Sequence, residues 1–419
     1  MISFEKAQEI LHELAIAQRK SLPVWDVGLE QSYSQVSAAN IYAQEHHPAF
    51  DNSSMDGFAL RAQDIAKASQ YHPQKLYVAG ESSAGKPWKQ SLQPHQACRI
   101  MTGARVPEGA NAVIKVEDVL EDKDSITLKQ AILPGTNIRK KGEDLSPGDL
   151  LVPKGSQISP EDVMLLASQG KSKVSTLRPL KVAIISTGQE ILTPGTQSPD
   201  PKMGEIHNSS GPFLKSKITD YPCELVSQFS CSDEPEQLFL AFSKALASGS
   251  DIIISTGGVS AGKYDLIPGM ITDLHGSILF HKVSMRPGKP ILVAKFTKEK
   301  PCTFFGLPGN PISTLVGFNF FVEPFIRHLT HRLAAQPIKA LLYQDISVPK
   351  SLTTFLRANV TVTPEAQIKA ELCGGQGSHM LSSLRGYNAW LKIDKGQETV
   401  KKGAFVDAFL LGQNSRFLY

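Results

Sequence analysis

The chain has 419 residues, of which 41% are hydrophobic and 20% charged. That length exceeds one ordinary hydrophobic core and implies about three domains of globular composition. The net charge of +4, from 44 basic and 40 acidic residues, is too small and too dispersed to argue for nucleic acid, while small anionic ligands stay open.

The first element is a helix. Ser3 stands as its N-cap, and Phe4, Ala7, Leu11 and Leu14 fall at helical spacing. Lys6 occupies the place where a capping box has Glu or Gln, so the cap is partial. From about 46 to 135, short apolar runs such as 75–79 and 112–116 are separated by Gly, Pro and Asn, which predicts a small β-rich domain. Residues 136–178 form a connector punctuated by Gly142, Pro147, Gly148, Pro153 and Gly155, and Ser159-Pro160-Glu161 opens a helix. From Leu180 the texture is α/β. Strands are expected at 181–186, 223–229, 251–255 and 301–305, with helices around 210–219 and 234–248. This alternation predicts a parallel sheet covered on both faces. After about 330 short strands return, as a final β domain.

The five cysteines (Cys98, Cys223, Cys231, Cys302, Cys373) contain no CxxC pair, so neither a disulfide framework nor a zinc site is expected. The N-terminus lacks the basic and apolar pattern of a signal peptide, and no run reaches about 18 apolar residues. A protein of the reducing cytoplasm, away from membranes, is expected.

The segment 251–265 carries the most chemistry. Its strand runs into Gly257-Gly258-Val259-Ser260-Ala261-Gly262, where glycines let backbone N–H groups approach an anion. Ligands of open α/β sheets sit beyond the carboxyl ends of the strands. Two other motifs overlap here. Gly257 to Lys263 matches a phosphate-binding G-x-x-x-x-G-K, but Tyr264 stands where a Ser or Thr should hold Mg²⁺. Gly258 to Gly262 matches a hydrolase G-x-S-x-G, but none of His275, His281, His328, His331 or His379 has a recognisable triad setting.

The remaining motifs are Phe50-Asp-Asn-Ser-Ser-Met-Asp56-Gly-Phe, Ile100-Met-Thr102-Gly-Ala-Arg-Val-Pro, Lys140-Lys-Gly-Glu-Asp144, Ser186-Thr-Gly-Gln-Glu190, Met285-Arg286-Pro-Gly-Lys289-Pro and Gly306-Leu-Pro308-Gly-Asn-Pro311. Read singly, most could be ordinary turns, and Asp233 could be a helix N-cap with an acid at the third helical position. Read together, they supply acids (Glu190, Asp233, Asp265), anion-binding backbone, and a cation pair (Arg286, Lys289) around a rigid turn. Acids of this kind suit a hydrated Mg²⁺ that bridges phosphates. The expected function is an enzyme acting on a phosphorylated, anionic small molecule.

In this order, MDG, MTGAxVP, KKGED, STGxE, STGGVSxG, PGKP and GLPGNP resemble the molybdopterin molybdenumtransferase family (MoeA and the gephyrin E domain) over nearly the whole chain. The resemblance implies a multidomain α/β plus β fold. Its parts would be a linker domain of residues 1–45 and 136–178, an inserted β domain of 46–135, an α/β domain of 179–328 related to molybdopterin adenylyltransferases, and a C-terminal β domain of 329–419. It implies a homodimer that takes adenylyl-molybdopterin and molybdate, with Mg²⁺-dependent release of AMP, and possible contact with the adenylyltransferase. Carried over by position, Asp56 and Thr102 would reach in from the partner subunit, and Asp144 would be the connector's acid. Glu190, Asp233, Ser260 and Asp265 would serve the pterin phosphate, adenylate and Mg²⁺, with Asp233 and Asp265 as metal ligands. Gly257, Gly258, Gly262, Pro308 and Pro311 would line the substrate, and Arg286 and Lys289 would meet molybdate. Arg357 and Ser378 would be polar positions added by the C-terminal domain. Some positions depart from the family: Gln189 stands where Asp is frequent, and His207-Asn-Ser-Ser210 stands where Tyr-Asp-Ser/Thr-Asn is frequent, Asn208 being a milder change than Ser210 in place of Asn. Rival readings are a non-catalytic scaffold of the same fold and a paralogue for another nucleotide-like substrate.

Overall fold

A computed structural model describes residues 1–200, 202–259, 266–297, 300–332 and 334–411. The chain folds into two compact units. One holds residues 40–153 and 160–172, and the other holds 1–39, 154–159 and 173 onward.

The chain opens with helix α1, Phe4–Arg19. Ser3 caps it as expected, its Oγ accepting from the Lys6 N–H at 3.1 Å. Phe4, Ala7, Leu11 and Ala15 are its buried stripe, and the Phe4 ring meets Phe321 and Phe355 edge-on at 5.8 and 5.2 Å. Burying a side chain of that size is worth about 1.5–3 kcal/mol, so the stripe, more than helix propensity, holds α1 in place.

The smaller unit is built on a six-stranded sheet: β1 (Gly57–Leu60), β2 (Gln74–Ser82), β3 (Gln96–Ile100), β4 (Ala112–Lys115), β5 (Val119–Asp122) and β6 (Ser125–Leu128). Their spatial order is β4-β1-β3-β2-β6-β5. Phe58, Leu60, Leu76, Ile114, Ile126 and Leu128 form its core. Helix α2 (Pro160–Ser168) belongs to the same unit and has Glu161 and Asp162 in its first turn, where the helix dipole favours acids.

The larger unit contains the α/β sheet: β7 (Leu180–Thr187), α3 (Ser210–Ile218), β8 (Cys223–Cys231), α4 (Pro235–Ala247), β9 (Ile252–Thr256), α5 (Ile267–Asp273), β10 (Ser277–His281), β11 (Leu292–Phe296), β12 (Cys302–Leu307), α6 (Pro311–Gly317) and α7 (Glu323–Leu329). The order is β8-β7-β9-β12-β11-β10. The first four strands are mutually parallel, and β11 and β10 extend the sheet antiparallel. Alternation sorts the side chains between two cores. Val182, Ile184, Ile252, Ile254 and Phe305 join one, against α1, α3, α6 and α7. Ala183, Ile185, Ile253 and Phe304 join the other, against α4 and α5. Both faces of the strands are thus buried, which explains their unbroken apolar runs.

The C-terminal strands β13 (Ile338–Leu342), β14 (Thr353–Val362), β15 (Ile368–Leu372), β16 (Ala389–Ile393) and β17 (Phe405–Leu410) run in the order β14-β15-β13-β17-β16, and β14 also pairs with β16. That last pairing closes the sheet and removes its edges. The short strand Met285–Arg286 lies parallel to β14, so the cation-bearing turn is joined to this sheet.

Candidate functional site

The four parallel strands end side by side. Thr187 at the end of β7 is level with Cys231 of β8, Ser186 with Thr256 of β9, and Thr256 with Leu307 of β12. The loops that follow therefore line one edge of the sheet: 188–190, 232–234, 257–259 and 308–311. The turns after β7 and β9 are tied to neighbouring strands. The Gly188 N–H donates to Cys231 O at 3.1 Å, the Gly257 N–H to Leu307 O at 3.0 Å, and Thr187 Oγ1 to Thr256 O at 3.2 Å. Gly257 has φ +93°, and a Cβ there would lie 2.6 Å from Thr187 Oγ1 and 2.8 Å from Thr187 O. Only glycine fits this turn. Gly258 follows at φ +64°. Ser260, Gly262 and Asp265 lie outside the described residues.

Glu190 is exposed, with its carboxylate folded back over buried Gly188. Asp233 is half-buried and has no ion-pair partner among the described residues. The expectation that Asp233 caps α4 is corrected. Glu234 is the N-cap, with extended backbone and no side-chain capping bond, because Pro235 begins the helix one residue later. Glu234 instead accepts from Gln189 Nε2 at 3.1 Å, linking the loops after β7 and β8.

Arg286 and Lys289 are both exposed and have no carboxylate partner among the described residues. The turn between them is anchored by the Val283 N–H donating to Lys289 O at 2.9 Å. Pro308 is buried and Pro311 is the first residue of α6. Arg357, on β14, is wholly buried. Its Nη2 donates to Gly375 O at 2.7 Å and Gly377 O at 3.2 Å, and burial pushes its pKa down. Gln376 completes the clamp by exchanging hydrogen bonds with the Arg357 backbone. Arg357 thus shapes the loop that carries Ser378 and does not itself face solvent. Ser378 is half-buried, and its carbonyl accepts from the Ile312 N–H at 3.4 Å, joining that loop to the start of α6.

In the smaller unit, Asp56 Oδ1 accepts from the Thr102 N–H at 2.7 Å and from Thr102 Oγ1 at 2.8 Å. The Thr102 N–H, then its hydroxyl, hold the Asp56 carboxyl below the ordinary carboxylate range. Asp51 grips the connector loop: Lys140 Nζ and the Lys141 N–H donate to it, each at 2.8 Å. Asp144 is exposed, and its N–H donates to His47 O at 3.1 Å.

The chain matches three family models along its length: the MoeA N-terminal region (domain I and II) at residues 2–170, a probable molybdopterin binding domain at 183–328, and the MoeA C-terminal region (domain IV) at 339–411. It is 34% identical over 408 residues to the molybdopterin molybdenumtransferase of Synechococcus elongatus, covering 97% of this chain and 99% of that one. It is 35% identical over 417 residues to the enzyme of the same name from Bacillus subtilis, covering 97% and 94%. The chain belongs to the molybdopterin molybdenumtransferase family. The MoeA crystal structure from Pyrococcus horikoshii OT3 has the same fold, with a TM-score of 0.80 at 27% identity, over 98% of this chain and 100% of that one. The multidomain α/β plus β layout expected from the motifs is therefore the observed one, and the chain is a transferase of molybdenum cofactor biosynthesis.

Four polar residues that hold these loops in place were not singled out by the sequence reading: Asp51, Thr187, Thr314 and Gln376. Asp51 sits inside the Phe50–Phe58 motif and Thr187 inside Ser186–Glu190, so proximity to a motif was a usable signal for both. Thr314 and Gln376 gave none, since Ser210 and Arg357, which they meet, lie 104 and 19 residues away.

Proposed function

We propose that this chain inserts molybdate into adenylyl-molybdopterin and releases AMP in a Mg²⁺-dependent step. The observation that carries this is the alignment of four parallel strand ends with glycine turns and carboxylates along one edge. Backbone N–H groups of the loop after Gly257 would take phosphate oxygens, and the positive φ of Gly257 and Gly258 starts that loop. The exposed Arg286 and Lys289, lacking acidic partners among the described residues, would bind molybdate by charge-assisted hydrogen bonds.

Asp233 and Asp265 would hold Mg²⁺. The donor set fits, because hard carboxylate oxygens suit that ion and the half-buried Asp233 has no competing cation among the described residues. When bound, Mg²⁺ supplies positive charge to the phosphates of the scissile bond. Glu190, just past the end of β7 beside β8, would be a third acid of the site. Such acids favour catalysis over a scaffold, which has no use for them.

The assembly is a homodimer in this reading, with Asp56 and Thr102 serving the active site of the other copy, and Asp144 the acid of the connector loop. The four-part division at 1–45 with 136–178, 46–135, 179–328 and 329–419 belongs to the same reading, as does a cytoplasmic location. Among the described residues no helix is long and apolar enough to cross a membrane. The test is anaerobic incubation with adenylyl-molybdopterin, molybdate and Mg²⁺. AMP release that requires all three supports the proposal, and absence of AMP release from folded protein rejects it.

A further inference from the structure

Behind the strand ends lies a short chain of buried hydroxyls. Ser210 begins α3 and is 7% exposed, and Thr314 on α6 is fully buried. Their oxygens are 3.3 Å apart. Thr314 Oγ1 also lies 2.7 Å from Pro308 O and 3.3 Å from Asn310 O. A hydroxyl has one proton to donate and two lone pairs. The Asn310 carbonyl already receives the Thr314 N–H at 2.9 Å, so the shorter contact to Pro308 takes the Thr314 proton. Ser210 must then be the donor to Thr314. The order is Ser210 O–H to Thr314 O–H to Pro308 C=O.

The consequence falls on the next residue. The Pro308–Gly309 peptide is trans and planar, so its C=O and N–H point in opposite directions. Drawing the Pro308 carbonyl into the core turns the Gly309 N–H outward. Gly309 is exposed, and its N–H has no acceptor among the described residues. A Cβ at Gly309 would lie 3.6 Å from Gly257 Cα, so this N–H belongs to the same edge as the Gly257 turn. Glycine at 309 leaves the approach to that N–H open.

We infer that the Gly309 N–H donates to an acceptor oxygen of the anionic substrate, and that Ser210 and Thr314 are the positioning residues that aim it. This rests on the functional reading above for the identity of the substrate. It also gives Ser210, the departure from the family's frequent Asn, a role in loop geometry and not in direct substrate contact.

The test compares Thr314→Val, Thr314→Ser, Ser210→Ala and the Ser210→Ala/Thr314→Val double variant in the full chain. One readout is steady-state AMP release. Thr314→Val should raise KM for adenylyl-molybdopterin about fivefold, as for one lost neutral hydrogen bond, with kcat near that of the parent. Thr314→Ser should keep the parent KM. Ser210→Ala should raise KM less, and should add nothing in the Thr314→Val background. A parent KM in folded Thr314→Val, or additive effects in the double variant, overturns the inference. The second readout needs no substrate: amide exchange at Gly257 and across 306–314 should quicken in Thr314→Val and not in Thr314→Ser. Unchanged exchange overturns the positioning role even if AMP release fails in the parent and the functional reading falls. Should Thr314→Val not fold, Ser210→Ala alone decides by the same two readouts.

Discussion

Gly257→Ala is the most direct probe of the strand-end turn. At φ +93° an alanine pays about 1–2 kcal/mol for a left-handed backbone. Its Cβ would also lie 2.6 Å from Thr187 Oγ1 and 2.8 Å from the Thr187 carbonyl. Neither atom can retreat freely, because the hydroxyl is bonded to Thr256 O and the carbonyl belongs to β7. Overpacking of that kind costs about 1–3 kcal/mol. The sum, about 3 kcal/mol, should lower the melting temperature of the larger unit by roughly 5 °C. Gly249→Ala is the control. Its φ is +69°, with nothing within 4 Å of the added Cβ, so it should carry the backbone cost alone, about 1 kcal/mol. Calorimetry on both variants separates the clash from the strain, and AMP release should lose activity only in Gly257→Ala. Equal melting temperatures, with the parent KM retained in Gly257→Ala, would refute the claim that this turn is packed against Thr187 and shaped for ligand.

Lys289→Ala should raise the molybdate needed for half-maximal turnover roughly tenfold, as for one lost charge-assisted contact; an unchanged molybdate dependence places the oxyanion elsewhere. Asp56→Ala and Asp265→Asn homodimers should both be weak, while mixing them should restore part of the activity, because a two-fold mixed dimer has one intact site; no recovery after subunit exchange confirmed by mass measurement rejects the shared site. Asp251 is buried between Arg178 and Lys300, at 2.8 and 2.5 Å, and Asp251→Ala should cost about 3–5 kcal/mol in chemical denaturation, by stranding two cations. His328 and His331 are held below the ordinary imidazole pKa by burial first, then by His12 and Arg19 for His328 and by Arg19 and Lys154 for His331. A base with a lowered folded pKa is protonated first in the unfolded chain, so stability should be full above about pH 6.5 and fall as pH drops below it. Denaturation midpoints at pH 7.5 and 5.5 measure this, and His328→Phe should flatten the difference.

The sequence by itself determined what depends on near neighbours. Ser3 and the stripe at Phe4, Ala7 and Leu11 specify α1, because capping and helical periodicity act within a few residues. The runs at 252–254 and 302–305 specify buried strands, since a strand covered on both faces has no polar side. The ordered motifs identified the family for the same reason: a turn that must bring backbone to a ligand writes its glycines and prolines contiguously. Tertiary structure decided whatever required distant segments to meet. It made β10 and β11 antiparallel, closed β14 onto β16, and moved the cap of α4 from Asp233 to Glu234. It buried Arg357 behind the loop it shapes, and set Ser210 against Thr314, 104 residues away. No local pattern encodes such pairs. Their hydrogen bonds exist only once packing has excluded water and left each donor one acceptor within reach.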